Sequence, residues 1–341
     1  MQRFLVTGGA GFIGSAFVRL LLDAIPDCEV INLDALTYAG NLDNLKGLQP
    51  ERHCFIHDDI TNSQIVTEAL HSGCEAIINF AAESHVDRSI ADCAEFLRTN
   101  IIGTQVLLDA ARAQGVKRFV QVSTDEVMGS LPEDETSYFT EDSPFAPNSP
   151  YAASKAAAEH LVRAAHHTFG LDTIITRCGN NYGPRQFPEK FLPLTIANAL
   201  NDEAIPLYGD GKNIRDWIYV EDHCRAILLA LEKGKPGAVY NVGARNVRRN
   251  VDVIQSVLDT LRKPHSLIKF VKDRPGHDRR YAIDPTLVET ELGWRPRETW
   301  ESGLRKTIDW YQENEQWLER ARSGAYRDYY RIQYGSEVGT R

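Results

Sequence analysis

Three things are missing from this chain, and each absence removes a class of protein. No apolar run approaches the ~18 residues that a membrane-spanning helix requires. No two of the six cysteines (Cys28, Cys54, Cys74, Cys93, Cys178, Cys224) form a C-x-x-C pair. That spacing indicates neither a zinc site nor a redox dithiol; no metal is expected, and the thiols are expected to be reduced and mostly packed. Positive charge is in deficit, with 38 Lys and Arg against 47 Asp and Glu and a net charge of -9. This argues against a nucleic-acid partner, which normally needs a basic face, although a few local arginines suffice for an anionic small molecule. There is no internal repeat, and no room between Met1 and the strand-like Phe4-Leu5-Val6 for the regions of a signal peptide, so a cytoplasmic location away from membranes is expected. What remains is 341 residues, 43% hydrophobic and 25% charged, an ordinary globular composition long enough for one large domain or two.

Glycine is concentrated where the chain first turns. Arg3 to Thr7 reads as a strand, Gly8-Gly9-Ala10-Gly11-Phe12-Ile13-Gly14 as the turn after it, and Phe17, Leu20, Leu21 and Ile25 as the apolar stripe of a helix. Gly9, Gly11 and Gly14 satisfy G-x-G-x-x-G, while Gly8, Gly11 and Gly14 give G-x-x-G-x-x-G. A glycine motif alone is weak evidence. Here it lies between strand and helix, and a second strand, Glu29 to Leu33, ends in Asp34, twenty residues after Gly14, where an acid can bind a ribose 2'-hydroxyl. The stretch is read as a dinucleotide site. An acid there repels a 2'-phosphate, and Ala35 offers no compensating arginine, so NAD is expected rather than NADP.

The β and α signals go on alternating: Cys54-Phe55-Ile56, a segment from Ser63 to Leu70, Ala76-Ile77-Ile78-Asn79-Phe80, a long helix near Asp92 to Gln114, and the strand Arg118-Phe119-Val120-Gln121-Val122. Pro144, Pro147 and Pro150 then break the chain before a helix from about Tyr151 to Phe169, which Ser149 and Pro150 can start. Asp172 to Arg177 reads as a sixth strand. The pattern predicts an α/β fold with a Rossmann-type, doubly wound parallel sheet. Past Asn180 the periodicity turns irregular, with loops at Gly183-Pro184, Pro188, Pro193, Pro206 and Gly209-Asp210-Gly211. A smaller, discontinuous α/β substrate-binding domain is expected there. The expected division is a dinucleotide domain over residues 1–180, a mainly substrate-binding domain over 181–330 and a tail over 331–341. Parts of about 215–250, including a helix from Glu221 to Leu231 and Tyr240-Asn241-Val242-Gly243, are expected to return to the main sheet. One last helix is expected from Trp300 to Arg322, before the tyrosines Tyr326, Tyr329, Tyr330 and Tyr334, which suggest a packed edge or subunit contact.

Two clusters carry chemistry. Ser123-Thr124-Asp125-Glu126 puts hydroxyls and two carboxylates directly after a buried-looking strand. A polar residue at a strand end is common turn chemistry, yet in an open α/β sheet the ligand crevice lies beyond those ends. Tyr151 and Lys155 form Y-x-x-x-K, an i, i+4 pair on one helix face. A tyrosine of pKa ~10 must lose about three units to act as a base near neutrality, roughly 4 kcal/mol, which a nearby ammonium and a cationic nicotinamide can supply together. Y-x-x-x-K is common in helices; downstream of the glycine turn it reads as a hydride-transfer pair.

These stretches together resemble the extended short-chain dehydrogenase/reductase family. Within it, Leu33-Asp34-Ala35-Leu36-Thr37-Tyr38-Ala39-Gly40-Asn41, Ala81-Ala82-Glu83-Ser84-His85-Val86-Asp87-Arg88-Ser89 and Asn180-Asn181-Tyr182-Gly183-Pro184 are similar to the dTDP-glucose 4,6-dehydratases, as are Ile214-Arg215-Asp216-Trp217 and Arg274-Pro275-Gly276-His277-Asp278-Arg279-Arg280-Tyr281. The resemblance runs from residue 3 to about 317. Met128 stands where those enzymes usually have tyrosine, and Gly179 where serine is common.

The resemblance implies NAD as cofactor, held by Gly8, Gly11, Phe12, Ile13, Gly14, Asp34, Leu36, Thr37, Asp59, Ile60, Ala81, Ala82, Ser84, Thr99, Tyr151, Lys155 and Asn181. It implies dTDP-glucose as substrate, held by Ser84, His85, Thr124, Asp125, Glu126, Asn180, Lys190, Phe191, Pro206, Tyr208, Arg215, Asn250, Arg274, His277 and Tyr281. Arg215 and Arg274 suit a diphosphate, because a guanidinium pairs bidentately with its oxygens; Asn180 also suits a plain turn. His166 and His167 are expected to be solvated helix residues. Water does not readily leave C6 of a hexose, because the C5 proton is not acidic until C4 has become a ketone. The implied catalytic set is therefore Tyr151 taking the C4 hydroxyl proton beside Lys155, Thr124 bonding the C4 oxygen, Glu126 removing the C5 proton and Asp125 protonating the departing hydroxyl. For that role Asp125 must stay protonated, which burial and the Glu126 charge favour. An epimerase of the same family needs no Asp-Glu pair, and a non-catalytic NAD-binding protein needs neither Tyr151 nor Lys155. A retaining glycosidase would hold its carboxyls ~5 Å apart and need no dinucleotide site. A homodimer through the helices near 92–114 and 151–169 is implied as well.

Overall fold

The computed structural model describes residues 2–133, 136–323 and 331; the tyrosines of the tail lie outside them. The first half alternates β1 (Gln2–Thr7), α1 (Phe12–Ala24), β2 (Cys28–Asp34), β3 (His53–His57), α2 (Ser63–Leu70), β4 (Ala76–Asn79), α3 (Val86–Ala91), α4 (Ala94–Phe96), α5 (Thr104–Ala113), β5 (Arg118–Thr124), α6 (Pro150–Phe169) and β6 (Thr173–Cys178). Then follow β7 (Asn180–Tyr182), α7 (Phe191–Leu200), β8 (Ile205–Tyr208), β9 (Ile214–Tyr219), α8 (Val220–Lys233), β10 (Val239–Val242), β11 (Val247–Arg249), α9 (Asn250–Leu261), β12 (Ile268–Val271), α10 (Thr286–Leu292), α11 (Trp300–Glu313) and α12 (Glu315–Ala321).

The main sheet has seven parallel strands in the order β10-β6-β5-β4-β1-β2-β3. The chain moves outward from β1 in one direction and returns to β4 for the other, which opens a crevice at the carboxyl ends of β1 and β4. Both faces of the sheet are apolar. One packs against α1 and α8 through Phe17, Leu21, Ile227 and Tyr240, the other against α2, α5 and α6 through Leu33, Leu70, Leu107 and Val162. That double burial explains why the strands read as nearly continuous hydrophobic runs. A separate core, built on Tyr182, Trp217, Trp300 and Tyr311, holds β7, β9 and β11 together with α7, α9 and α11. Among the described residues no helix is long and apolar enough to cross a membrane.

Several boundaries differ from the sequence pattern. The helix expected from Asp92 starts at Ala94, because the Asp92 carboxylate accepts the Ala94 amide at 3.0 Å. Its middle, Leu97–Gly103, winds as a π-helix, a form often found at functional sites. A Cβ on Gly103 would lie 2.4 Å from Ile60 Cδ1, so any larger residue there requires the Ile60 side chain to shift. The last helix is broken at Asn314 into α11 and α12, so that the Trp317 indole can donate to Asn44 Oδ1 at 3.0 Å. His166 is not simply solvated: it is half-buried, with Nδ1 2.8 Å from the Leu171 carbonyl. Only Cys28, Cys178 and Cys224 are buried, while Cys54 and Cys93 are exposed.

Candidate active site

The glycine turn is a matter of space. Gly8 has φ +69°, and a Cβ on it would meet the Ala81 amide nitrogen at 2.6 Å; one on Gly14 would meet the Gly8 carbonyl oxygen at 2.2 Å. A side chain at Gly8 would force apart the ends of β1 and β4, and one at Gly14 would push α1 off the turn that follows β1. At the tip of β2 the Asp34 carboxylate accepts the Ala10 and Leu36 amides, both at 2.8 Å. Burial raises the Asp34 pKa while these amides pull it down. The glycine cradle and the acid beside it suit a dinucleotide with a free ribose hydroxyl. A cleft of about 310 Å³ opens over this floor and is lined by every residue expected to hold the cofactor except Leu36. Leu36 instead closes the turn after Asp34, at φ +49°.

The same cleft reaches Thr124, Asp125, Glu126, Asn180 and Lys190. β5 ends at Thr124, and Asp125–Met128 form a single 3₁₀ turn closed by Gly129 at φ +78°. The strand's in-out alternation therefore stops where the two carboxylates begin. Thr124 Oγ1 accepts the Glu126 amide at 3.3 Å and lies 3.3 Å from Asp125 Oδ1. Asp125 is buried, and burial first, then the Glu126 charge, push its pKa well up. Its Oδ2 has no hydrogen-bond partner among the described residues, as suits a protonated carboxyl waiting for an acceptor. Desolvation also raises Glu126, against the pull of Arg274, Arg215 and Lys190.

α6 brings the other pair. Ser149 caps it by accepting the Ala152 amide at 3.1 Å, with Pro150 in the first turn. Tyr151 and Lys155 are both buried on its inner face. Burial lowers the Lys155 pKa to about 8, opposed by the Glu159 carboxylate; its Nζ donates to the Val122 carbonyl at 2.8 Å. Burial first, then the Glu126 charge, push the Tyr151 phenol well above its usual range, and the Thr124 hydroxyl pulls it down.

Nine residues expected at the substrate lie outside the cleft lining: His85, Phe191, Pro206, Tyr208, Arg215, Asn250, Arg274, His277 and Tyr281. Most surround its far end. The Arg215 guanidinium stacks 4.2 Å over the Tyr281 ring and donates to the Asp278 carbonyl, whose carboxylate accepts the Tyr281 hydroxyl at 2.5 Å. Arg274 and Tyr208 both reach Asp87, at 3.3 and 3.0 Å, and His277 lies beside Asp273. Asn250 is buried at the start of α9. Phe191 packs toward Trp217, Pro206 is buried in β8, and His85 is buried beside Glu189.

Two groups escaped the sequence reading. Under the strand end, buried Glu159 accepts Ser123 Oγ at 2.5 Å and Arg177 Nη2 at 2.8 Å, and Arg177 Nη1 touches Met128 Sδ. Its place one turn beyond Lys155, on the same helix face, was the available signal. Along the cleft wall, Glu189 pairs with Arg88 at 3.0 Å. Tyr38 and Arg88 stand inside stretches quoted above, but nothing in their spacing shows that they meet.

A parallel sheet with a glycine cradle, an acid at β2 and a buried Tyr-Lys pair beside an Asp-Glu turn defines a dinucleotide-dependent enzyme of the short-chain dehydrogenase/reductase type. A family model described as GDP-mannose 4,6 dehydratase matches residues 5–307. A dTDP-glucose 4,6-dehydratase of Xanthomonas campestris pv. campestris (strain B100) is 51% identical over 348 residues, covering 96% of this chain and 98% of its own. dTDP-glucose 4,6-dehydratase 1 of Escherichia coli (strain K12) is 48% identical, covering 98% and 99%. The crystal structure of DesIV, a dTDP-glucose 4,6-dehydratase from Streptomyces venezuelae solved with NAD bound, superposes with a TM-score of 0.91 at 50% identity, covering 94% of this chain and 100% of that one. The chain belongs to the dTDP-glucose 4,6-dehydratase family.

Proposed function

We propose that the protein dehydrates dTDP-glucose to the 4-keto-6-deoxy sugar nucleotide, with NAD as a cofactor that ends each cycle as it began. The observation that carries this reading is the Asp125-Glu126 turn at the end of β5, in the same cleft as Tyr151 and Lys155. When bound, NAD supplies the hydride acceptor for C4 and the hydride returned to C6, and its cationic ring supplies the field that lowers the Tyr151 phenol. Tyr151 then takes the C4 hydroxyl proton while Thr124 holds the C4 oxygen. With C4 a ketone, Glu126 removes the C5 proton, and Asp125 gives its proton to the C6 hydroxyl as it leaves. The surroundings support this division of labour: burial and the Glu126 charge push Asp125 well up against Arg215, and its Oδ2 has no partner among the described residues, whereas Arg274, Arg215 and Lys190 all oppose the rise at Glu126. Arg215 and Arg274, beyond Glu126, suit the diphosphate.

The test is to incubate the purified protein with dTDP-glucose, without added cofactor, and follow product mass. Loss of one water is expected. In the same assay Glu126→Gln should accumulate reduced nicotinamide without releasing water. A product of unchanged mass would point to an epimerase instead, and dehydration by Glu126→Gln near the wild-type rate would remove Glu126 from its role.

We also infer a homodimer in the cytoplasm. The helices named for the dimer carry three large apolar side chains that are exposed in the single chain, Leu97, Ile102 and Phe169, at 45%, 55% and 55%.

A further inference from the structure

Three loops that line the cofactor cleft are joined across it by side chains for which the elimination chemistry has no use. The loop after β2 contributes Thr37 and Gly40 to the wall and carries Tyr38; the stretch leading into α3 contributes Ser84, and α3 carries Arg88; a third stretch contributes Phe187 and Glu189. The Arg88 guanidinium lies 4.2 Å over the centre of the Tyr38 ring, and its Nη2 donates to Glu189 Oε2 at 3.0 Å. The Glu189 side chain has no exposure, whereas that of Arg88 is 31% exposed. Tyr38 also meets Phe187 edge-on, with ring centres 6.0 Å apart. Next to the ion pair, Lys190 Nζ donates to the Ser84 carbonyl at 2.6 Å, a second tie between the same two stretches.

We propose that Arg88 is the pin of a latch that closes these three loops along the cleft and sets how long the protein keeps its NAD. The proposal rests on the NAD-dependent reading above. An arginine is suited to the place because one planar group stacks on an aromatic face and pairs with a carboxylate at the same time, which an ammonium does poorly. The pin is also preorganised. Its neighbour Asp87 is held by Arg274 and Tyr208, so α3 is fixed from the substrate side while Arg88 faces the cofactor side. A latch fits the chemistry, because hydride taken from C4 goes back to the same sugar and the cofactor gains nothing by exchanging between turnovers. An enzyme that released reduced cofactor after each cycle would be slowed by the same contacts.

The experiment measures retention rather than turnover. Wild type, Arg88→Met and Tyr38→Phe are saturated with NAD, desalted, and assayed for bound NAD per chain; its release is then followed with an NAD-consuming trap. Arg88→Met is expected to release NAD about tenfold faster than wild type, the ratio that about 1.4 kcal/mol produces. Tyr38→Phe keeps the ring face under Arg88 but loses the hydroxyl bonded to Ser84 and Glu189, and is expected to release NAD faster than wild type and more slowly than Arg88→Met. Circular dichroism checks that Arg88→Met is folded; should it not fold, Tyr38→Leu and Phe187→Leu carry the same expectation of faster release. Wild-type retention by a folded Arg88→Met overturns the latch and leaves the NAD reading standing. A wild-type protein that loses its NAD on desalting also overturns the latch, whereas one that binds no NAD at saturation overturns both.

Discussion

His223 sits where a charge has no place. It is fully buried in α8, with Nδ1 2.9 Å from Asn181 Oδ1, and burial lowers its pKa to about 3. Asn181 lines the cleft, so a core histidine orients a residue proposed to touch the cofactor. A depressed pKa means that the folded state binds its proton later than the unfolded chain does. The stability this contributes is complete above the unfolded value of ~6.5 and is lost as pH falls toward about 3. Melting temperatures of wild type and His223→Asn, measured from pH 7.5 down to 4.5, should therefore converge as the pH drops, because the variant has no imidazole to protonate. Parallel curves would show that another group governs acid sensitivity. At this scale the sequence was legible wherever chemistry and spacing coincide: Asp34 after β2, the Asp125-Glu126 pair, and Tyr151 with Lys155 all occupy one cleft. His223 was not legible, since one histidine on an apolar helix face announces nothing about the asparagine it will meet.

α6 works as one element because its inner face carries Tyr151, Lys155 and Glu159 in successive turns. Ser123 stands opposite Arg177 in the β5–β6 register, and both bond Glu159, so helix and strand end are locked together. Glu159→Gln removes a carboxylate from a pair exposed by only 4% and 1%, and leaving Arg177 buried without its partner should cost about 3 kcal/mol of stability. It also removes the charge that holds Lys155 up to about 8, so the alkaline limb of the activity profile should move to lower pH. A lower melting temperature with an unmoved limb would leave Glu159 a purely structural role. Elements of this length were mostly readable from periodicity. The exceptions have particular causes: the π-helix is one widened turn inside a longer helix, too short to alter the periodic pattern around it, and the break at Asn314 follows from a distant contact between Trp317 and Asn44.

At the scale of the whole molecule, the chain builds two cores that the sequence order does not separate. After β7 and β9 have joined the second core, α8 and β10 return to the main sheet, and β11 leaves it again. Pairing between strands far apart in sequence leaves no periodic trace, which is why the second half read as irregular. Another surface property belongs to this scale. If Leu97, Ile102 and Phe169 meet a second copy, light scattering should give twice the chain mass for wild type and a shift toward single chains for Ile102→Glu combined with Phe169→Glu. A wild type of single-chain mass would remove the dimer.

The turn that closes β5 has a consequence for how such enzymes diverge. Oxidation at C4 is assigned to Thr124, Tyr151 and Lys155, anchored in a buried strand and a twenty-residue helix. Removal of water is assigned to Asp125 and Glu126, on a four-residue turn that ends at a glycine. The two halves of the reaction are therefore separately heritable: the tip can be rewritten in two codons while the oxidising machinery behind it is left intact, and a new product can arise without a new fold.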